Sequence, residues 1–276
     1  MSDLFKEIQL HNLDPNTTIW KYLPLWEFES LLMLRALWFS TLRKFEDDFE
    51  GTVPEPARTQ MKHQFQDMEK WFPDEHRKQQ VRRFVEVNVA DGRELIVANC
   101  WSIGETETKR MWDEYVKNNE GVVIRSSAQD LVDSLVLAGL PHRYFWIGKI
   151  EYIDFARHDE MTIYTANQAH LRAFVKSRKQ FEWEKELRIA TMNWITPGSL
   201  NPDGSPPNEK QKSGLVYSSD RPGIFRRTHL PTLIKEVRTA PGASTCQLNT
   251  IKFLISESLG DQQGWPPIIG QSQLHS

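Results

Sequence analysis

Apolar and polar positions along the chain form short runs separated by turn residues. Asp14-Pro15-Asn16 marks a turn, and residues 18–23 (TIWKYL) follow as a β-branched, aromatic strand that Pro24 ends. Residues 27–35 carry Phe28, Leu31, Leu32 and Leu34 as the apolar stripe of a short helix, and 37–40 (LWFS) return as a strand. The opening is therefore strand, helix, strand. Residues 94–102 (ELIVANCWS) read as a buried strand, and Thr106 or Thr108 caps a helix through Asn118. A strand over 122–126 and a capped helix over 127–137 come next. Residues 144–153 (YFWIGKIEYI) form the longest clear strand. The pattern then predicts a helix over 159–175 and a strand over 187–194. Short strands at 215–217 and 224–227, a strand at 233–238, a helix from Ser244 or Thr245 to about 259 and an edge strand in the tail complete the series.

Two stretches interrupt this order. Residues 54–92 place Met61, Phe65, Met68 and Phe72 at helical spacing, then start a second helix at Pro73-Asp74, so they read as a helical insertion. Residues 196–214 are rich in Pro, Gly, Ser and Asn and read as a long exposed loop. Strands and helices mix without regular βαβ alternation. The expected fold is α+β, a single domain over 1–276 with a mixed or mostly antiparallel sheet.

Composition narrows the class. The chain has 276 residues, 39% hydrophobic and 26% charged, with a net charge of −3, and bulk attraction to nucleic acid is not indicated. Cys100 and Cys246 lie far apart with no second ligand at metal spacing, so no metal site is expected and both read as reduced thiols. No apolar run has the ~18–20 residues of a membrane span, and the N-terminus carries no leader pattern. A cytoplasmic protein with no membrane partner is the expectation. Ten tryptophans are many for this length, and burial in the core is their commoner use.

Candidate chemistry concentrates in residues 176–189, KSRKQFEWEKELRI. As a strand, Phe181, Trp183, Lys185 and Leu187 fall on one side and Glu182, Glu184, Glu186 and Arg188 on the other. As a helix, Glu182 and Glu186 lie one turn apart with Arg178 behind them. Either way carboxylates crowd beside cations and aromatics, where shifted pKa values and bound polar ligands arise. A solvated charged face is the bland alternative. An acidic loop, KFEDDFEG at 44–51, groups Glu46, Asp47, Asp48 and Glu50 before Gly51, which permits a positive-φ turn. The strand–helix–strand unit from 94 to 126 directs Trp101, Ser102, Trp112, Tyr115 and Arg125 toward one another. Cys100 lacks a neighbouring base and reads as a small buried hydrophobe.

In chain order, WKYL, LWFSTLRKFEDDFEG, CWS, MWDEY with GVVIR, KSRKQFEWEKELRI and LIKEVRTAPGAS resemble a largely bacterial family of unknown function, number twenty-nine seventy-one in its naming scheme. That family's acidic loop usually reads FNDPFEG, where this chain has FEDDFEG. More distantly, the layout is similar to the ADP-ribosyltransferase core. That resemblance implies NAD as cofactor, Lys21 and Tyr22 on the first strand, Ser40 at the end of the second, and Glu186 or Glu184 as the late catalytic glutamate. Lys21 stands where such enzymes usually carry His or Arg. Trp101, Ser102, Trp112, Tyr115, Arg125 and Arg188 would then surround the cofactor. A carboxylate suits that role because it stabilises developing positive charge and accepts hydrogen bonds from ribose hydroxyls.

Three classes stay open: an NAD-using transferase or glycohydrolase; an interaction protein whose Glu/Arg motif fixes the fold; and an enzyme acting on nucleic acid, with magnesium held by Glu182, Glu184 and Glu186 or by the acids at 46–50. A protein target or partner is compatible with the first two.

Overall fold

A computed structural model describes residues 13–47, 49–52, 92–94, 96–153, 173–177, 179–193, 195, 198–208, 222–259, 265 and 267–274, with isolated positions between 59 and 79. The helical insertion, the helix expected over 159–175 and the strand expected over 215–217 lie wholly or mostly outside them.

The fold is α+β, built on a mostly antiparallel mixed sheet. Strand β1 (Thr18–Pro24) leads directly into helix α1 (Leu25–Leu34), and β2 (Ala36–Thr41) follows. The turn between α1 and β2 is a single residue, Arg35, at φ 49°. This left-handed conformation ends the helix abruptly. Phe28, Leu31 and Leu32 of α1 are buried in the main core beside Leu23, Leu37 and Phe39 of the flanking strands. Each side chain so buried contributes about 1.5–3 kcal/mol.

Strand β3 (Ile96–Ile103) is the axis of the sheet. Along one edge it pairs antiparallel with β8 (Glu186–Met192), from Ile96↔Met192 to Ser102↔Glu186. Its other edge is shared. β1 takes the C-terminal end through Trp20↔Ser102 and Ile19↔Ile103, while β2 takes the N-terminal end through Ser40↔Ala98 and Thr41↔Val97. Beyond those pairs β1 and β2 diverge, and the sheet splits into two wings.

The first wing continues through β4 (Gly121–Ser127), β11 (Glu236–Thr239) and the parallel edge strand β12 (Ile268–Gln271). The second continues through β10 (Gly223–Arg227) and the short β9 (Ser199–Leu200). Strand β5 (Phe145–Lys149) extends the sheet beyond β8.

Helices begin where the sequence offers caps. The Thr108 side chain accepts from the Met111 N–H to start α2 (Lys109–Tyr115), and the Ser127 hydroxyl accepts from the Asp130 N–H to start α3 (Ala128–Leu137). Helix α4 (Leu230–Leu233) is a single turn, and α5 (Thr245–Leu259) is the longest described helix.

Three expectations need correction. The long strand at 144–153 breaks at Ile150, whose N–H donates to the Glu186 carbonyl, and its end becomes β6 (Glu151–Ile153), paired in parallel with β7 (Val175–Ser177) in a separate sheet. The strand at 233–238 is shortened by α4. Residues 176–189 form neither one strand nor one helix. They run from β7 through a 3₁₀ turn (Lys179–Glu184) to Lys185 at φ 44°, and β8 begins at Glu186. No described helix is long and apolar enough to cross a membrane.

Candidate functional site

Where β1 and β2 part, backbone groups on the facing edges of β2 and β3 lose their ladder partners, and buried groups of this kind must be satisfied elsewhere. Two side chains do this. Lys21 Nζ donates to the Cys100 carbonyl at 3.1 Å, and Asn99 Nδ2 donates to the Trp38 carbonyl at 2.7 Å. The Asn99 Oδ1 in turn accepts from Trp101 Nε1 at 2.8 Å, which locks the amide's orientation.

A cavity of about 720 Å³ opens at this split, lined by both separated strands, the middle of β3, the start of α1, the acidic loop and the start of β8. Its volume lies within the ~300–1,000 Å³ typical of small-molecule sites. The β3–β8 register sets Glu186 beside Ser102 and Arg188 beside Cys100 on one sheet face, and Ser40, opposite Ala98, shares that face. Lys21 belongs to the other face by alternation, yet its long side chain reaches into the gap.

At one side of the cavity is a buried triad. Arg188 Nε and Nη2 donate to Glu186 Oε1 at 2.9 and 2.8 Å, and Nη2 also donates to Glu50 Oε1 at 2.5 Å. Nη1 is taken by the Ala173 carbonyl, and the Phe45 ring lies 4.8 Å from the guanidinium carbon. The Arg188 and Glu50 side chains are fully buried, while Glu186 is 6% exposed. One arginine thus serves two carboxylates. Burial opposes its charge, but Glu186 and Glu50 together hold its pKa well above the ordinary value. Gly51, at φ 71°, turns the acidic loop inward immediately after Glu50, as its position in the sequence suggested.

The neighbouring groups are tuned by the same surroundings. Burial pushes the Cys100 thiol far up, and Glu186 adds to this, so the thiol is not an activated nucleophile. Burial draws the Lys21 ammonium down, opposed chiefly by Glu27, whose carboxyl is itself raised by burial and lowered by Lys21. The Tyr115 hydroxyl, 3.4 Å from Glu184 Oε1, is pushed far up by loss of water and then by Glu184. Tyr22 is pushed up to about 12 by burial, with its hydroxyl accepting from the Thr108 N–H.

Of the residues singled out from sequence, Lys21, Tyr22, Ser40, Trp101 and Ser102 line the cavity, as do Tyr115, Glu184, Glu186 and Arg188. Trp112 and Arg125 are not among its lining residues. Trp112 is buried against Tyr22, edge to face at 5.2 Å, with its Nε1 donating to Glu107. Arg125 points to the neighbouring strand and bonds Glu236 at 2.7 Å. Glu182 is exposed. Glu184 and Glu186 diverge at Lys185, whose left-handed backbone sits between them, one meeting Tyr115 and the other Arg188.

Asn99, Glu27 and the aromatics Trp26 and Trp38 were not proposed as site residues from sequence. Glu50 entered only as one of the acids at 46–50 that could hold magnesium, not as a partner of Arg188. Its partner lies 138 positions away, which local pattern does not reveal. Compared with family models, with curated proteins and with solved structures, the chain finds no match.

Proposed function

We propose that the cleft binds a ribosylated nicotinamide cofactor of the NAD type and that the protein is an NAD-using transferase or glycohydrolase, with Glu186 as its working carboxylate. The observation that carries this reading is the convergence of Lys21 on β1, Ser40 on β2 and Glu186 on β8 upon one cleft made by the splitting of the sheet. The similarity of the sequence layout to the ADP-ribosyltransferase core is what gives these three positions their proposed roles.

The chemistry follows from charge. Breaking a ribosyl–nitrogen bond develops positive charge on the sugar, and a preorganised carboxylate in a water-poor cleft stabilises it far better than bulk water does. Glu186 suits this because its carboxylate lines the cavity with its side chain only 6% exposed. Arg188 fixes the Glu186 carboxylate through Oε1. Ser40 and Tyr115 supply hydroxyls along the same lining.

A second reading is favoured by the same triad. A buried Glu–Arg–Glu cluster also serves to fix a fold, and the protein would then be a non-catalytic interaction module. Magnesium at the glutamates is disfavoured, because Arg188 already lies between Glu186 and Glu50, and no group of three His, Cys, Asp or Glu among the described residues is placed to hold an ion.

The deciding experiment measures NAD binding and turnover for wild type and Glu186→Gln, with melting temperatures of both. Arg188 keeps Glu50 in the variant, so the expected result is turnover lost with a melting temperature little changed. Absence of NAD binding by wild type, with a variant melting several degrees lower, would sink the enzymatic reading and leave the structural one.

A further inference from the structure

We propose that Lys21 is the reactive amine of the cleft and condenses with the carbonyl group of an uncharged aromatic aldehyde to form a Schiff base. This goes beyond the reading above, resting on the cleft being open to a small molecule and on neither NAD nor Glu186.

The geometry singles out this amine. Among the described residues that line the cavity, Lys21 is the one lysine, and its side chain reaches into the gap between β1 and β2. Its Nζ donates to the Cys100 carbonyl at 3.1 Å, which fixes its position, and lies 5.8 Å from the Trp101 ring. Among the described residues it makes no second hydrogen bond and no ion pair. Satisfying a backbone carbonyl does not require an ammonium: at the same split, Asn99 serves the Trp38 carbonyl with a neutral amide. A cation in such a place carries a desolvation cost that an amide does not. Burial therefore favours the neutral amine, whose lone pair is the nucleophile. The Cys100 thiol beside it is held protonated by the same burial and does not compete.

The step balances without a further reagent. The Nζ lone pair attacks the carbonyl carbon, the π pair moves to oxygen, and a proton passes from nitrogen to oxygen to give a carbinolamine. The nitrogen pair then forms the C=N bond as the C–O bond breaks, and the oxygen leaves as water with a proton from solvent. The nitrogen keeps its last proton as an iminium. Its charge faces Glu27 of α1, which lines the same cavity and is the strongest charge acting on Lys21.

The class of aldehyde follows from the walls. Trp26, Trp38, Tyr115 and Phe225 present rings to the space. The other cation among the described lining residues, Arg188, is bonded to Glu50, Glu186 and the Ala173 carbonyl. An oxo acid whose carbonyl took Lys21 would find no second cation for its carboxylate, whereas a flat uncharged ring fits the aromatic walls.

The test incubates the full chain at neutral pH with benzaldehyde or pyruvate and cyanoborohydride, which reduces an imine to a stable secondary amine. Labelling of each lysine is then followed by peptide mass spectrometry. Benzaldehyde should label Lys21 about tenfold faster than the exposed Lys117 and Lys252, because the neutral amine is the form that adds. The preference for benzaldehyde over pyruvate should be severalfold greater at Lys21 than at Lys252. Lys21→Arg, which keeps a donor for the Cys100 carbonyl, should lose the label at this position with its melting temperature little changed. Labelling of Lys21 no faster than of the exposed lysines, or the same aldehyde preference at Lys21 and Lys252, would overturn the inference. Both are read within wild type, so they hold whether or not the variant folds and whether or not NAD is turned over.

Discussion

Among the described residues, two glutamate–arginine clusters look alike in composition and differ in what they can do. One is the Glu50–Arg188–Glu186 triad at the split of the sheet. The other lies on the first wing, where Arg238 bonds Glu236 at 2.6 Å and Glu107 at 3.1 Å, and Arg125 bonds Glu236 at 2.7 Å. The second cluster is balanced, two arginines for two glutamates, and Glu107 also accepts from Trp112 Nε1 and from the Gln273 N–H. It ties α2, β4, β11 and the C-terminal tail together, and none of its four charged residues lines the described cleft. The first gathers two glutamates on Arg188, and Glu186 lines a cavity. A carboxylate closed in by its neighbours fixes a fold, while one that lines a cavity is within reach of a ligand. The difference lies in placement rather than in residue type.

The comparison breaks most visibly at its two arginines. Arg188→Met leaves two carboxylates in a fully buried site, and removing one partner of a buried ion pair costs ~3–5 kcal/mol. That is a large share of a total stability of ~5–15 kcal/mol. Arg238→Met, at a side chain 11% exposed, leaves Glu236 with Arg125 and Glu107 with two other donors, so the expected loss is about 1.5–3 kcal/mol. Urea unfolding of both variants beside wild type tests this, and equal losses would erase the distinction between the clusters.

A smaller effect concerns pH. Burial alone would raise the Glu236 carboxyl, but hydrogen bonds from Arg238 and Arg125 outweigh it and hold its pKa below the ordinary 4.5. A carboxyl depressed in the folded state contributes stability that is present above its unfolded pKa and is lost as pH falls through the folded one. The stability gap between wild type and Glu236→Gln should therefore be constant above pH 4.5 and shrink at lower pH. Thermal melts at stepped pH measure it, and a gap that widens on acidification would contradict the balanced picture.

The smallest effect is a reporter of the triad. Cys100, raised by burial and then by Glu186, should react slowly with a thiol reagent, while the exposed Cys246 reacts freely. In Glu186→Gln the rate at Cys100 should rise, because the neutral amide no longer opposes the thiolate. An unchanged rate, followed by mass spectrometry of the labelled peptides, would mean that Glu186 does not govern this part of the cleft.

Much of this was legible in the order of residues, because local signals report local structure. TIWKYL, the Thr108 and Ser127 caps, the apolar stripe of α1 and the Gly51 turn gave their elements to within a few residues, since periodicity and capping act over one or two turns of chain. The α+β class followed from their succession. The interruptions at Ile150 and Lys185 were hidden, because each is imposed by a distant strand: the Glu186 carbonyl captures the Ile150 N–H, and the Lys185 carbonyl is taken by the Ile103 N–H.

Tertiary structure alone decided the site. Residue identity nominated Glu186, Arg188, Lys21 and Ser40, but equally nominated Trp112, which bonds Glu107 five residues before it, and Arg125, whose partner Glu236 the pairing of β4 with β11 supplies. Glu50 meets Arg188 only because the acidic loop folds over β8, and the cavity exists only because β1 and β2 claim opposite ends of one edge of β3. Sequence determines which side chains can carry charge and which segments can extend or coil. Strand pairing, which brings together positions more than a hundred residues apart, determines which charges are neutralised and which face open space.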